Sequence, residues 1–205
     1  MNYKFYFRKS SFKKDINNAN LLLNIIKKYK PVNFLEVGVL EGATSRNVCE
    51  LLNNINEGKF NYVGIDLFTD TNDNNEFTPI SVKISNPLKW IYFKLILRMN
   101  PNSKDCVAYL LKKFKKSINL YKGYSKDLLQ QIDLNKFNFV FLDGGHSYET
   151  VKDDLNLLKQ KLSYNSIIIC DDYNILQYGV KKAVDEIKDE FYYENLGRFA
   201  LLQIK

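Results

Sequence analysis

Three aspartates end two apolar runs in the second half of the sequence. Asp143 closes "FNFVFLD", and Asp171 and Asp172 follow "SIIIC". If the runs are neighbouring buried strands, three carboxylates meet where water is scarce, and both burial and like-charge repulsion oppose their ionisation. We therefore expect a cation between them, and oxygen ligands suit Mg²⁺, Ca²⁺ or Mn²⁺. The alternative is that Asp172 caps the following helix and that Asp171 pairs with a lysine.

The single histidine of the chain, His146, follows Asp143 after two glycines. A histidine directly beyond a strand end can accept a proton near neutral pH, which makes His146 a candidate general base. Asp143 is the second candidate for that role. A lone histidine can also be purely structural, so the pattern leaves both interpretations open.

A glycine-containing turn follows the first apolar run. The stretch "FLEVGVLEGATS" places Glu36, Gly38 and Gly42 between a strand and a helix that begins near Ser45. Glycines let the backbone approach a ligand, and a helix start offers free N–H groups. The next run ends at Asp66, where an acid can accept both hydroxyls of a ribose. Together these features predict a nucleoside-containing ligand, although Asp66 could instead cap a loop.

Two further places extend this candidate binding site. Leu67 follows Asp66 directly, and the stretch "YKGYSKDLL" puts Gly123, Tyr124 and Ser125 at the end of a third run. In open parallel sheets, ligands bind beyond the carboxyl ends of the strands. We therefore expect these residues to contact the same ligand, with the third run near its base.

The elements that must position these residues are predicted from hydrophobic periodicity. Apolar runs alternate with helical patterns, which indicates a doubly wound parallel sheet covered on both faces. The predicted strands are 32–38, 61–67, 118–123, 137–143 and 166–172, and the predicted helices are 15–30, 43–55, 104–117, 125–132, 147–162 and 180–191. The last stretch, 192–205, reads as a hairpin turning at Gly197 and Arg198. The expected fold is thus an α/β fold with seven strands, mostly parallel, ending in an antiparallel hairpin strand.

The length of 205 residues, 45% of them hydrophobic, predicts one domain spanning 1–205. Residues 1–30 form an N-terminal arm and helix. Residues 70–100 begin polar and become aromatic and basic, which is typical of a lid insertion or an extra packed helix. The three cysteines form no closely spaced pair, so we expect reduced core residues in a cytoplasmic protein.

Basic residues exceed acidic ones by seven, which permits nucleic acid, anionic lipid or an anionic small molecule as a partner without selecting one. We find no run of signal-peptide or membrane-spanning length. A soluble protein without a membrane span is expected.

In the order "EVGVLEG", "GIDLF", "YKGYS", "FLDGGHSYETV" and "IIICDDY", the chain resembles class I S-adenosylmethionine-dependent methyltransferases over roughly positions 33–205. Within that class, "DGGHSYE" followed by "DDY" resembles the branch of macrocin-type sugar O-methyltransferases and cephalosporin-hydroxylase-like proteins. The broad class usually has a further glycine where this chain has Leu40. The resemblance implies a Rossmann-like sheet with a reversed last strand.

For function, the resemblance implies methylation of a hydroxyl on a sugar, nucleotide-sugar or glycan, with S-adenosylmethionine as the donor. It implies Mg²⁺ or another hard divalent cation on Asp143, Asp171 and Asp172, Glu36 beside the methionine end of the donor, and Asp66 on its ribose. Members of that branch are often oligomeric, so a homo-oligomer is permitted.

Two other functions remain open from the sequence. The acceptor could be RNA or a protein, since the chain is basic, although nucleic acid is not favoured. The chain could also be a non-enzymatic nucleotide-binding module whose carboxylates only cap helices. An NAD-dependent reductase fits poorly, because NAD-binding sheets normally finish parallel.

Overall fold

The computed structural model describes residues 2–68 and 84–205, so part of the predicted 70–100 insertion lies outside the described residues. The strands are β1 (Asn33–Val37), β2 (Asn61–Asp66), β3 (Ile118–Lys122), β4 (Phe139–Leu142), β5 (Ile167–Cys170), β6 (Phe191–Leu196) and β7 (Phe199–Ile204). The α-helices are α1 (Ile16–Tyr29), α2 (Ala43–Ile55), α3 (Pro87–Trp90), α4 (Lys104–Leu110), α5 (Ser125–Gln131), α6 (Tyr148–Lys161) and α7 (Val180–Ile187). A π-helical stretch, Ile91–Ile96, continues α3.

The strands form one sheet in the order β3-β2-β1-β4-β5-β7-β6. All neighbours run parallel except β7, which is antiparallel to both β5 and β6. The reversal of strand order at β1 leaves a crevice between β1 and β4 at their carboxyl ends, where ligands bind in such sheets. The prediction of a mostly parallel seven-stranded sheet with a reversed C-terminal strand is confirmed.

Both faces of the sheet are buried at its centre, where β4 and β5 are apolar throughout and β1 is mostly apolar. On one face, Phe34 of β1 stacks on Phe139 of β4 with ring centroids 5.2 Å apart, and α1 and α2 cover them. On the other face, Val140 and Ile168 pack against α5, α6 and α7. Burial from both sides fixes the strand tips relative to the helices that start beside them.

Two predicted helices end earlier than their patterns suggest. The predicted helix 104–117 ends at Leu110 and is followed by a 3₁₀ turn that buries Phe114 against Phe60, with ring centroids 6.0 Å apart. The predicted helix 180–191 ends at Ile187, because Phe191 pairs with Ile204 at the start of β6. In both cases an aromatic residue is better accommodated by the core or the sheet than by another helical turn.

The N-terminal arm, residues 3–12, packs along α2. The Tyr3 hydroxyl lies 3.0 Å from the Thr44 hydroxyl, and Asn47 exchanges two hydrogen bonds with the Lys4 backbone. The backbone N–H of Lys9 donates to Glu41 at 2.7 Å. The arm is therefore part of the wall around the β1–α2 turn. Among the described residues, no helix combines the length and apolar character needed to cross a membrane.

Candidate functional site

The register of β4 and β5 brings the predicted carboxylates together. Leu142 pairs with Cys170 as the last residue pair of the two strands, and the Asp171 N–H donates to the Leu142 carbonyl at 3.0 Å. Asp143 and Asp171 therefore leave adjacent strands at the same level, with Asp172 one residue further. We call this group, with His146, the carboxylate edge.

An arginine that no sequence motif indicated occupies part of this edge. Arg198 donates from Nε to Asp171 Oδ1 at 2.5 Å and from Nη2 to Asp171 Oδ2 at 2.7 Å, and Nη2 lies 3.0 Å from Asp172 Oδ1. Its guanidinium also lies 4.6 Å from the centre of the Phe12 ring. Part of the positive charge expected beside Asp171 is thus supplied by Arg198. The alternative of a lysine partner for Asp171 was wrong, because the partner is an arginine.

The antiparallel pairing of β7 with β5 explains how Arg198 reaches the site. Cys170 pairs with Ala200. Because the two strands are antiparallel, two residues after Cys170 on one strand lie beside two residues before Ala200 on the other, which places Asp172 beside Arg198. The Tyr173 N–H donates to the Arg198 carbonyl at 2.9 Å, which extends this pairing beyond the strand ends. Extending the predicted hairpin alongside β5 would have found Arg198, but only with the strand register known.

Burial dominates the electrostatics of the edge. It raises the pKa of Asp143 well above the usual range, and the charges of Asp171 and Asp172 raise it further. Burial also raises the pKa of Asp171, although the hydrogen bond and charge of Arg198 oppose this. Asp143 and Asp171 therefore do not titrate as independent carboxylates.

Asp143, His146 and Asp172 form the group that fits a metal ion. Each offers one ligand atom, and the three atoms lie within 4.8 Å of one another. His146 Nε2 is 3.2 Å from Asp172 Oδ2. Asp171 is not in this group, because both of its oxygens accept from Arg198. The structure thus brings two of the three predicted metal ligands together with the predicted base.

Asp172 does not cap the next helix, as the alternative had supposed. The helix α7 begins only after Gly179. Asp172 instead adopts a left-handed backbone conformation with φ of 55°, which is unfavourable for a residue with a side chain. That conformation turns its carboxylate towards His146 and Arg198.

The glycine turn after β1, with the end of β2, forms a second group, which we call the donor edge. Gly38 has φ of 92°, and a Cβ atom at this position would lie 1.9 Å from the Asp143 carbonyl oxygen. Only glycine permits this approach. The β1 turn and the carboxylate edge are therefore in direct backbone contact, at the crevice between β1 and β4.

Glu36 lies inside the donor edge. Its Oε2 accepts from the Tyr62 hydroxyl at 2.5 Å, and its Oε1 accepts no hydrogen bond from the described residues. Burial raises the pKa of Glu36 to about 8, against the opposing effects of Tyr62 and Ser45. A buried carboxyl with one oxygen unused is suited to a polar or cationic ligand group.

Asp66 accepts three backbone N–H groups. Its Oδ2 accepts from Val39 at 2.7 Å and Leu40 at 2.8 Å, and its Oδ1 accepts from Phe68 at 2.7 Å. These contacts hold Leu40 at φ of 53°, a left-handed conformation that glycine adopts more easily. Asp66 thus shapes the loops around the donor edge, and its binding to a ribose stays a prediction.

The remaining predicted binding residues lie beside Asp66. The Gly123 N–H donates to the Asp66 carbonyl at 3.0 Å, Leu67 follows directly, Tyr124 is exposed, and Ser125 begins α5. Gly42 precedes α2, and Ser45 is buried in its first turn. The turns after β1, β2 and β3 therefore adjoin, as the sequence predicted, and the ligand that they contact stays a prediction.

The N-terminal arm contributes residues that no motif indicated. Tyr3 is buried, and burial raises the pKa of its hydroxyl to about 12, with Glu36 and Asp143 acting in the same direction. Phe12 lies under Arg198. The arm thus contacts the surroundings of both edges, a placement visible only once the chain is folded.

The motif-bearing part of the chain matches a known family. A family model described as a methyltransferase domain matches residues 35–173. This range includes the acids of both edges, whereas the N-terminal arm and Arg198 lie outside it. No curated protein matches the sequence at a significant level.

Several solved structures share the fold. CalS11, described as a TDP-rhamnose 3'-O-methyltransferase of calicheamicin biosynthesis, is 16% identical with a TM-score of 0.62, over 93% of this chain and 80% of that one. TomG from Streptomyces achromogenes, in complex with SAM, is 13% identical with a TM-score of 0.62, over 93% and 81%. An O-methyltransferase from Bacillus cereus, in complex with SAH, is 14% identical with a TM-score of 0.61, over 96% and 84%.

Proposed function

The chain belongs to the methyltransferase-domain family and is an S-adenosylmethionine-dependent methyltransferase, and we propose that it methylates a hydroxyl group on a small sugar-containing acceptor. Membership of this family identifies the chain as an enzyme rather than as a non-enzymatic nucleotide-binding module. The observation that carries the proposal is the contact between Gly38 and Asp143. Because of it, a donor bound at the β1 turn has its reactive end beside the carboxylate edge.

Methyl transfer from a sulfonium is an in-line displacement, so alignment of donor and acceptor supplies much of the rate. We propose that the Glu36 carboxylate holds the cationic end of the donor, which restores its ionisation in spite of burial. The turns at Gly38 and Gly123 would hold the nucleoside, with Asp66 keeping both in place.

A hydroxyl must lose its proton as it is methylated. We propose His146 as the general base, held by Asp172 at 3.2 Å and packed against Tyr178, with ring centroids 4.4 Å apart and the rings tilted by 31°. A positioned base contributes about 10²- to 10⁴-fold. Asp143 is the second candidate, since its raised pKa makes it a stronger proton acceptor than an exposed aspartate.

Asp143 and Asp172 would hold a Mg²⁺ ion, which proteins commonly bind through one or two carboxylates. When bound, a divalent cation lowers the pKa of a neighbouring hydroxyl. Asp171 would act differently from the prediction: its pairing with Arg198 fixes the orientation of the β5 end, and with it Asp172.

A sugar acceptor is supported by the resemblance of the motifs to sugar O-methyltransferases and by the shared fold of CalS11, a TDP-rhamnose methyltransferase. A homo-oligomer, a cytoplasmic location and a lid within 70–100 remain predictions. Tyr92 and Phe93 pack against Phe7 and Arg8 of the arm, so these two rings serve first to anchor the helix rather than to stack on a sugar.

The test compares Asp172→Asn with Asp66→Asn. We expect Asp172→Asn to lower turnover by about 100-fold or more, measured as added methyl mass on nucleotide-sugars, while calorimetric affinity for S-adenosylhomocysteine stays within about twofold. Mn²⁺ binding, followed by electron paramagnetic resonance, should weaken in Asp172→Asn alone. Asp66→Asn should weaken donor binding instead. Equal loss of donor binding in both variants contradicts the assignment.

RNA or protein as the acceptor is the competing outcome. Binding of RNA would weaken steeply as salt is raised, because phosphate contacts release counterions. A neutral sugar acceptor would be nearly indifferent to salt, and a nucleotide-sugar, with only its diphosphate charged, would show a shallow dependence. A steep salt dependence of acceptor binding would therefore replace the sugar proposal.

A further inference from the structure

The helical segment 87–96 exposes five large apolar side chains. These are Leu88, Trp90, Ile91, Leu95 and Ile96, between 43% and 69% exposed, which we call the apolar patch. A single exposed leucine is ordinary in a folded protein, but a cluster within one short helical segment marks an interaction surface.

The opposite side of the segment is firmly attached. Phe93 is fully buried, and the Arg8 guanidinium lies 4.7 Å from the centre of its ring. Arg8 in turn donates to the Pro101 carbonyl at 3.0 Å, and Tyr92 contacts Phe7 edge to face at 6.1 Å. The inner side chains therefore fix the helix to the arm, and the apolar patch is not needed for that attachment.

The surroundings of the patch are basic. Within 84–100 the basic residues are Lys89, Lys94 and Arg98, and the nearest acids in the sequence are Glu76 before this range and Asp105 after it. Lys9 of the arm and Lys13 directly after it add positive charge near Lys89, and Glu41 is the acid that acts on Lys89. The occupant of this surface should therefore combine apolar groups with negative charge.

We propose that the apolar patch binds the surface of an anionic lipid bilayer. Leucine, isoleucine and tryptophan on one face with lysine and arginine beside them are the composition of helices that lie in a membrane interface. Trp90 would sit at the headgroup level, with Lys94 and Arg98 near lipid phosphates. Each basic residue near an anionic membrane contributes about 1 kcal/mol, or roughly fivefold in affinity.

A second copy of the chain is the less suitable occupant. In a two-fold symmetric contact the same patch meets itself, so the positive charge of Lys89, Lys94 and Arg98 would be doubled across the contact, with no acid within 84–100 to balance it. Nucleic acid would use the basic residues but leave the aliphatic ones exposed to water. The proposal is independent of the acceptor, but since the arm also contacts Glu41 at the donor edge, the bound enzyme would work close to the bilayer.

Trp90 is the only tryptophan of the chain, so its fluorescence reports on the patch directly. We expect the full chain to sediment with vesicles containing phosphatidylglycerol, much less with pure phosphatidylcholine, and less at high salt. The emission of Trp90 should shift to shorter wavelength on binding, and lipids brominated in the acyl chain should quench it. These measurements need no variant.

The combined variant Leu95→Glu and Ile96→Glu should weaken vesicle binding by at least about tenfold, since both side chains lie outside the core. Lys94→Gln should weaken it about fivefold. Tyr164→Glu, at an equally exposed residue elsewhere, is the matched control and should bind as the parent does. Circular dichroism checks that each variant is folded.

Four results would overturn the proposal: no binding to phosphatidylglycerol vesicles, binding unchanged by the glutamate pair, shielding of Trp90 from acrylamide in the free monomer, or a dimer in light scattering that buries Trp90. The third outcome would assign the patch to another segment of this chain. The fourth would assign it to a second copy.

Discussion

The donor edge and the carboxylate edge both stabilise buried acids, but the groups that pair with those acids differ. Both bury acids at the carboxyl ends of parallel strands. At the donor edge, Asp66 accepts backbone N–H groups and Glu36 accepts a hydroxyl from the next strand. At the carboxylate edge, Asp171 depends on Arg198, which arrives from the final hairpin.

The difference lies in how each edge depends on the rest of the fold. The donor edge is assembled from β1, β2 and the turns that follow them, so it needs only two neighbouring strands. The carboxylate edge needs β7 to lie antiparallel beside β5 before its charges are balanced. We therefore expect damage to the carboxylate edge to be larger and to depend more strongly on distant residues.

The largest effect is expected for Arg198→Ala. Removing the arginine leaves Asp171 and Asp172 buried without their counter-charge, and breaking a buried ion pair typically costs about 3–5 kcal/mol. The free energy of unfolding, measured with urea, should fall by about that amount, while calorimetric affinity for S-adenosylhomocysteine in the folded protein changes little.

A second substitution checks the cause of that loss. In the Arg198→Ala background, Asp171→Asn should recover part of the lost free energy, because it removes a charge that has become unpaired. No recovery would mean that Arg198 stabilises the hairpin by packing on Phe12 rather than by charge.

A more gradual effect, spread over several pH units, should mark the donor edge. Because the pKa of Glu36 is raised to about 8 in the folded protein, the folded state holds a proton that the unfolded state has released. The free energy of unfolding should therefore fall as pH rises from about 5 to about 8. Glu36→Gln should reduce that slope, by at most about 1.4 kcal/mol per pH unit.

The matched control is Glu50→Gln on the neighbouring helix. Partial burial favours a higher pKa for Glu50, but its contacts with Tyr6 and Arg46 outweigh burial and lower the pKa, so it titrates below this window. Its variant should keep the parental slope. An unchanged slope in Glu36→Gln would contradict the assigned protonation of Glu36.

The smallest effect concerns the arm that reaches both edges. Tyr3→Phe removes a hydroxyl bonded to Ser10 and Thr44, and the loss of a buried hydrogen bond costs about 1 kcal/mol. Tyr6→Phe, whose hydroxyl bonds Glu50 at a more exposed position, should cost less. Thermal unfolding of both variants measures the difference, and equal losses would show that burial of Tyr3 adds nothing.

The fold, and the strand ends that form the candidate site, could be predicted from the amino-acid sequence without any structure. Apolar runs that end at or beside Glu36, Asp66, Asp143 and Asp171 predict parallel strands, and parallel strands bring their carboxyl ends to one edge. Those patterns are local, so they can be recognised without knowledge of contacts. The closing hairpin was also predictable, since Gly197 and Arg198 separate two extended runs.

Which charges meet became known only from the folded chain. Asp171 and Arg198 are joined by the register of β5 against β7, and a shift of one residue would turn the side chains to the other face. The positions of Tyr3, Arg8 and Phe12 likewise depend on surfaces that exist only after the sheet and α2 have packed. Pairings of this kind join residues that are far apart in the sequence, so a local sequence pattern does not predict them.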